Sequence, residues 1–163
     1  MKKYVSIAIL INLCLVIGLF NYAVIRKEDT LKNGQLTLIR LAPVDPRSLM
    51  QGDYMVLNYG LPFISNDTYA RKRGYCVIKT DERGVVLSDE VYFQENMSAV
   101  ADGARHIKCW HDSWRIYIGA ESFFFQEGHG EKYEEAQYGG LMVDDDGNSI
   151  LVGLYDGDLN RIE

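Results

Sequence analysis

A run of 22 residues without a charged side chain, from Tyr4 to Ile25, is the feature that most constrains this chain. As an α-helix rising about 1.5 Å per residue, it would measure roughly 33 Å, enough to cross a hydrocarbon layer of about 30 Å. A helix buried in a globular core rarely stays apolar on every side over such a length. The run therefore predicts a membrane-spanning helix formed by residues 4–25.

The residues after this run argue against cleavage of the helix. The charged segment 26–29 (RKED) follows it directly, without the small-residue cleavage site that ends a secretion signal. Lys2 and Lys3 favour a cytoplasmic N-terminus, but Arg26 and Lys27 balance them on the other side. Since the chain starts with the apolar segment, as a signal-anchor does, we expect an uncleaved anchor and a domain on the non-cytoplasmic side.

Charge is distributed unevenly along the chain, and this argues against one class of partner. All 23 acidic residues and 13 of the 17 basic residues lie from Glu28 onward, which gives residues 28–163 a net charge of about −10. Such a domain repels the phosphates of nucleic acids and anionic lipid headgroups. Nucleic-acid binding is therefore not expected.

Alternation of polar and apolar residues predicts short β-strands in the rest of the chain. The segment 35–41 (QLTLIRL) has this period of two, and turn sequences at 81–84 (DERG) and 144–148 (DDDGN) predict hairpins. Seven or eight such strands predict a mostly β fold, a small antiparallel barrel or sandwich with one short helix near 130–137. The expected organisation is a cytoplasmic N-terminus and membrane anchor at 1–27, a polar linker at 28–34 and a β domain at 35–163.

Two separated motifs carry a resemblance to a known family. Residues 43–59 read PVDPRSLMQGDYMVLNY, with GDYMVLNY at 52–59, and residues 123–156 read FFFQEGHGEKYEEAQYGGLMVDDDGNSILVGLYD. Together with the N-terminal apolar segment, these motifs resemble the GDYXXLXY family of membrane-anchored bacterial proteins over nearly the whole chain. The resemblance implies a single-pass protein of the bacterial cell (inner) membrane whose domain faces the periplasm or the cell exterior.

The resemblance also implies a partner and a set of positions, but no reaction. Family members often accompany, or are fused to, a polytopic membrane protein, so such a protein is the expected partner. The motif positions expected to form a binding or interface site are Asp45, Arg47, Gly52, Asp53, Tyr54, Leu57, Tyr59, Glu127, Gly128, Tyr133 and Tyr138.

Several of these residues have a structural interpretation beside the functional one. Arg47 can clamp a carboxylate or phosphate with its fork of donors, or it can pair with an acidic residue such as Asp53 or Glu127. Gly52 and Asp53 suit a turn that enters a strand. The glutamates in the segment 131–135 fit a solvated acidic face better than an acid–base pair.

The three cysteines leave the question of a disulfide open. Cys14 lies in the membrane segment, so Cys76 and Cys109 are the two cysteines of the domain. An oxidising compartment would permit a disulfide between them. Alternatively, both are small buried hydrophobic residues, as free cysteines often are.

Neither a metal site nor a catalytic set is expected. His106 alternates away from Cys109 and His111 on a strand, which leaves too few ligands for zinc. The stretch from Asp144 resembles the start of a calcium loop, but its twelfth position is Tyr155 rather than glutamate. A comparison with signal peptidases fails as well, because Pro43 occupies the place of the nucleophilic serine. We therefore expect no cofactor.

Two functional hypotheses follow. The first is a non-catalytic envelope subunit that works with a polytopic membrane protein, the 43–59 and 121–138 stretches forming one surface. The second is a domain that binds a small anionic or sugar-like ligand in a pocket lined by Arg47, Tyr54, Tyr59 and Glu127. An envelope hydrolase is a distant third.

Overall fold

The computed structural model describes residues 2–42, 54–61, 72–88, 91–99, 103–111 and 115–163. One α-helix and nine β-strands lie in these ranges. They are α1 Lys2–Asn33, β1 Gln35–Arg40, β2 Tyr54–Val56, β3 Lys72–Lys79, β4 Tyr92–Gln94, β5 Ala104–His111, β6 Ile116–Tyr117, β7 Ser122–Phe124, β8 Tyr138–Val143 and β9 Ser149–Tyr155. The predicted mostly β fold behind one apolar N-terminal helix is confirmed.

Helix α1 is longer than the apolar run, and it includes the segment expected to be a linker. All side chains from Tyr4 to Asp29 are exposed, and α1 is long and apolar enough to cross a membrane by length and composition. The helix continues through residues 28–33 because these residues form helical side-chain pairs four apart, Lys32 with Glu28 and Asn33 with Asp29. It ends at Asn33, and the N–H of the next residue, Gly34, donates to the carbonyl of Thr30.

The strands form three antiparallel groups. Their orders are β1-β8-β9, β2-β7 and β4-β3-β5-β6. The hairpins predicted at 81–84 and 144–148 are present: Gly84 N–H donates to the carbonyl of Asp81, and Gly147 N–H donates to that of Asp144. One of the sheets is a half-barrel.

Backbone hydrogen bonds join the three groups around a common core. Leu38 of β1 pairs with the hairpin after β3, since its N–H donates to Gly84 and its carbonyl accepts from Val86. Lys108 of β5 donates its N–H to Gly147 at the tip of the β8–β9 hairpin. The core between the groups contains residues of most strands, among them Ile39, Met55, Leu57, Cys76, Ile78, Ile107, Leu141 and Leu154.

Two short segments have local structure that short-range hydrogen bonds hold. Strands β6 and β7 are separated by a turn in which the Glu121 carboxylate accepts the N–H groups of Ile118 and Gly119. The helix expected near 130–137 is a 3-10 helix at Gly130–Tyr133. Its hydrogen bonds span three residues, as in Lys132 N–H to the His129 carbonyl.

Candidate functional site

Residues of the GDYMVLNY motif alternate between the core and the surface. Met55 is buried in strand β2, and Leu57 and Tyr59, which follow the strand, are buried as well. Tyr54 is half-buried and Val56 is exposed, and both face the opposite way from Met55. The motif therefore contributes one set of side chains to the core and another to the surface.

Tyr59 belongs to the core set and has its polar group satisfied within the chain. Its hydroxyl donates to the carbonyl of Ala120 at 2.7 Å. Its ring covers Gly139, where an added Cβ would lie 2.8 Å from Tyr59 Cε1. Burial raises the pKa of Tyr59, and the charge of Glu121 raises it further. Tyr59 thus fixes the motif to two neighbouring segments, and its side chain is not available to a ligand.

The surface set forms an apolar face on the β2–β7 pair. Tyr54 lies opposite Phe124, and Val56 lies opposite Ser122, so these four side chains share one side of the pair. We call them the signature face. The rings of Tyr54 and Phe124 are 5.7 Å apart, centroid to centroid. Phe124 is 74% exposed and Val56 is 45% exposed, although both are apolar.

A groove of about 260 Å³ lies next to this face. Three stretches line it: the end of β1 with the two residues after it, part of the GDYMVLNY motif, and the end of the 3-10 helix with residues that follow it. We call it the signature groove. Its lining residues are Arg40, Leu41, Ala42, Met55, Val56, Leu57, Asn58, Tyr133, Glu134, Ala136 and Gln137. Val56 belongs to both the signature face and the signature groove, so the two adjoin at this residue.

Tyr133 holds the 3-10 helix against strand β7. Its ring lies 4.9 Å from that of Phe123 and 5.5 Å from that of Phe125, centroid to centroid. This aromatic cluster brings the C-terminal motif to the motif strand. The described parts of the 43–59 and 121–138 stretches therefore lie side by side.

The other C-terminal motif positions lie outside the groove lining. Glu127 is exposed on a turn, and Gly128 adopts a φ of 81° there, a conformation that favours glycine. Tyr138 begins β8 between Arg40 and Tyr155, and it is half-buried. Gly128 thus shapes the turn, and Tyr138 is part of the β1-β8-β9 sheet.

Asp45, Arg47, Gly52 and Asp53 lie outside the described residues. The chain between Ala42 and Tyr54 contains all four. Ala42 lines the signature groove, and Tyr54 is part of the signature face.

A second cavity, of about 400 Å³, was not anticipated from the sequence. It lies along β3 and β5 and is lined by Arg73, Gly74, Tyr75, Glu95, Lys108, Cys109, Trp110, Ile118 and Gly119. Trp110 stacks on Tyr117, with centroids 3.8 Å apart and planes at 6°. The sequence feature that could have indicated this cavity is the alternation in β5, which places Lys108 and Trp110 on the same face.

The two cysteines of the domain lie together in the core. Cys76 Sγ and Cys109 Sγ are 2.8 Å apart, and both residues are buried. Both are free thiols in this structure. The hydrogen bond to Cys109, together with burial, raises the pKa of the Cys76 thiol.

Within the described ranges, no three or more histidine, cysteine or acidic side chains are grouped as metal ligands would be. His106 lies on the face of β5 opposite to the one that carries Ile107, Cys109 and His111. Asp144 forms a turn, since its carboxylate accepts the side-chain and backbone N–H groups of Asn148.

The junction between α1 and the β8–β9 hairpin is a second arrangement absent from the sequence predictions. The Thr30 hydroxyl donates to Asp144 Oδ2 at 2.7 Å, and Thr30 is only 1% exposed. Arg26 Nη2 lies 3.0 Å from Asp146 Oδ2. Burial disfavours ionisation of Asp144, but hydrogen bonds from Thr30 and Asn148 outweigh it and lower its pKa. The domain is thus fastened directly to the apolar helix.

Comparison with known proteins gives one match, to a family. The sequence profile of the GDYXXLXY proteins matches residues 16–154, which is most of the chain and includes residues 43–59 and all but the last two residues of the 123–156 stretch. No curated protein and no solved structure matches the chain. The chain belongs to the GDYXXLXY protein family.

Proposed function

We propose that this protein is a non-catalytic subunit of the bacterial cell envelope, anchored by α1 with its domain on the non-cytoplasmic side. Its signature face docks on a polytopic protein of the same membrane. The observation that carries this proposal is the exposure of Phe124 and Val56 beside Tyr54 of the family motif. Contiguous apolar side chains at a surface are typical of protein interaction sites.

The energetic argument rests on Phe124. A phenylalanine that is 74% exposed leaves most of its apolar area in contact with water. Covering such a side chain contributes about 1.5 to 3 kcal/mol. Tyr54, whose ring is 5.7 Å from that of Phe124, would extend the covered area. Aromatic residues of this kind dominate the energy of many interfaces.

The membrane anchor favours a partner in the same bilayer. Confinement of two proteins to one membrane raises their effective concentration, so a modest interface suffices for binding. Thr30 and Asp144 hold the domain to the helix, which limits the orientations in which the signature face is presented. Fewer orientations reduce the entropy lost on docking.

The charge of the domain further limits which partner surface would be complementary to it. Glu134 lines the signature groove, and Glu131 and Glu135 are exposed beside it. The domain as a whole is strongly acidic. A partner loop that combines apolar side chains with lysine or arginine would complement this surface.

The size of the signature groove also favours docking over ligand binding. Pockets for small molecules measure roughly 300–1,000 Å³, and this groove measures about 260 Å³. It has room for one or two side chains of a partner. The ligand pocket expected around Tyr59 has little support, because that side chain is buried.

Ligand binding remains the second candidate at a different place. The cavity of about 400 Å³ combines the aromatic residues Tyr75 and Trp110 with the cations of Arg73 and Lys108. Such a lining suits a small anionic or sugar-like envelope component. Thermal unfolding of the detergent-solubilised full chain against a panel of such compounds tests this candidate, and a raised Tm would support it.

The docking proposal is tested by purifying a C-terminally tagged full chain from membranes in mild detergent. We expect a stoichiometric polytopic protein in the eluate, identified by mass spectrometry. Arg47→Ala should weaken its recovery if the segment between Ala42 and Tyr54 takes part in docking, while circular dichroism shows an unchanged fold. A chain that purifies alone would contradict the proposal.

A further inference from the structure

Cys76 and Cys109 lie on adjacent strands and on the same face of the sheet. In the β3–β5 register, Cys76 faces Ile107 and Cys109 faces Gly74, so the two cysteines are diagonal neighbours. Gly74, which lies directly opposite Cys109, has no side chain, and the ring of Phe93 covers it: an added Cβ would lie 2.6 Å from Phe93 Cζ. The two strands thereby bring together sulfur atoms that are 33 residues apart in sequence.

The separation of the sulfur atoms is shorter than simple packing requires. Cys76 Sγ and Cys109 Sγ are 2.8 Å apart, whereas nonbonded carbon atoms pack best at about 3.5–4.0 Å. Sulfur is larger than carbon, so two thiols that merely filled space would lie at least that far apart. Cys76 is fully buried and Cys109 is 7% exposed. The third cysteine, Cys14, is exposed on α1, so it does not compete for either of them.

We propose that Cys76 and Cys109 form a disulfide in the exported domain. The proposal rests on the placement of the domain in an oxidising compartment under the proposed function. The oxidant is a protein or small-molecule disulfide of the thiol-exchange class, the common source of oxidising power in such compartments.

The exchange proceeds in two balanced steps. The thiolate of one cysteine attacks a sulfur of the oxidant's disulfide and forms a mixed disulfide, and the oxidant's other sulfur leaves as a thiolate. The thiolate of the second cysteine then attacks its partner's sulfur and expels the remaining oxidant thiolate. Cys76 and Cys109 together lose two electrons and two protons, and the oxidant disulfide is reduced to two thiols.

Both sulfur atoms face the core, since Cys76 and Cys109 share one face of the sheet with Ile107. The hydrogen bond to Cys109, together with burial, raises the pKa of the Cys76 thiol, which keeps it protonated in the folded domain. Exchange depends on the thiolate, so oxidation during folding should be faster than oxidation of the folded domain.

Counting of free thiols tests the proposal in the full chain. Cells that produce the protein are quenched with acid, and the denatured chain is alkylated with iodoacetamide before or after reduction. Intact mass should show one added label without reduction, on Cys14, and three labels after reduction. Cys76→Ser is the matched control and should carry two labels in both samples. Three labels on the unreduced wild-type chain would overturn the proposal.

Refolding of the purified chain separates the geometry of the pair from its cellular location. In detergent with a mixture of oxidised and reduced glutathione, the wild-type chain should lose two of its three labels during refolding. Retention of all three labels there would also overturn the proposal. Failure of the docking proposal is recognised separately, because the tagged chain would then purify without a polytopic protein while the numbers of labels stay as expected here.

Discussion

The junction between α1 and the β8–β9 hairpin contrasts with the signature face. At the junction, the Thr30 hydroxyl donates to Asp144, and Arg26 pairs with Asp146, so polar groups are satisfied within the chain. At the signature face, Phe124 and Val56 are exposed and apolar. The first region is complete in the isolated chain. At the second, the contact of apolar side chains with water is unfavourable, and this cost is removed only when another surface covers them.

The same contrast divides the GDYMVLNY motif itself. Leu57 and Tyr59 are buried and connect the motif to neighbouring segments through Glu121 and Ala120. Tyr54 and Val56 face away from the core. Motif residues therefore have two separable roles, and substitutions in the two sets should differ in what they damage.

The largest loss of stability is expected for Leu57→Ala. Leu57 is 2% exposed in the core, so its truncation leaves a cavity and should lower the free energy of unfolding by about 3 to 5 kcal/mol. Val56→Ala, one position away on the exposed side, should cost less than about 1 kcal/mol. Denaturant unfolding of the detergent-solubilised chain, followed by tryptophan fluorescence, measures both. Equal losses of stability in the two variants would contradict the division of the motif into a buried set and an exposed set.

The next largest effect is expected from reduction of the Cys76–Cys109 pair. A cross-link that closes a loop of 33 residues should stabilise the domain by about 3 to 4 kcal/mol through the unfolded state. Unfolding midpoints with and without a reductant measure this difference. Cys76→Ser should match the reduced wild-type chain and show no further response to reductant. A reductant effect of equal size in that variant would indicate another cause.

A smaller effect is expected at the junction. Thr30→Val keeps the shape of the side chain but removes the hydrogen bond to Asp144, so we expect a loss of about 1 to 2 kcal/mol. Hydrogen exchange of residues 28–34 should accelerate as the end of α1 separates from the hairpin. Glu28→Gln, which breaks an exposed pair with Lys32, is the control. It should change stability by no more than about 0.5 kcal/mol.

Acid should weaken the same junction. The pKa of Asp144 is lowered in the folded chain, so its contribution to stability is present above the ordinary aspartate pKa of about 3.9 and is lost as the pH falls through its folded value. Stability should therefore decrease below about pH 4. Asp81 and Asp156 also have lowered pKa values and act in the same direction. Thr30→Val should reduce the acid sensitivity, and an identical pH profile would exclude Asp144 as a contributor.

Much of the local structure could be predicted from the sequence, because its causes are local. Alternation in 35–41 predicts β1, and the glycine-containing turn at 144–148 predicts the last hairpin. The uncharged run 4–25 likewise predicts α1, because the length and composition of a helix are local properties. The C-terminal extent of α1 was harder to predict from the sequence, since Thr30 is bonded to Asp144, which is 114 residues away.

Pairings between distant segments account for the features that could not be predicted from the sequence. Nothing in the local pattern of β2 shows that Tyr54 faces Phe124, and the signature face follows from that pairing. The residues at 130–137 have the composition of a helix, but only Gly130–Tyr133 are helical, as a 3-10 helix whose Tyr133 ring contacts Phe123 of β7. Family motifs indicated which segments matter, whereas the structure indicates which side chains are exposed.

The central claim is that the signature face binds the membrane partner, and a matched pair of charge substitutions tests it most directly. Phe124→Asp places a charge on that face, while Tyr92→Asp does the same at an aromatic residue that is 50% exposed on β4. Both variants should unfold within about 0.5 kcal/mol of the wild-type chain, since neither side chain is in the core. In affinity purification from membranes, Phe124→Asp should reduce recovery of the polytopic protein at least tenfold, and Tyr92→Asp should leave it unchanged. Equal recovery with both variants would contradict the claim.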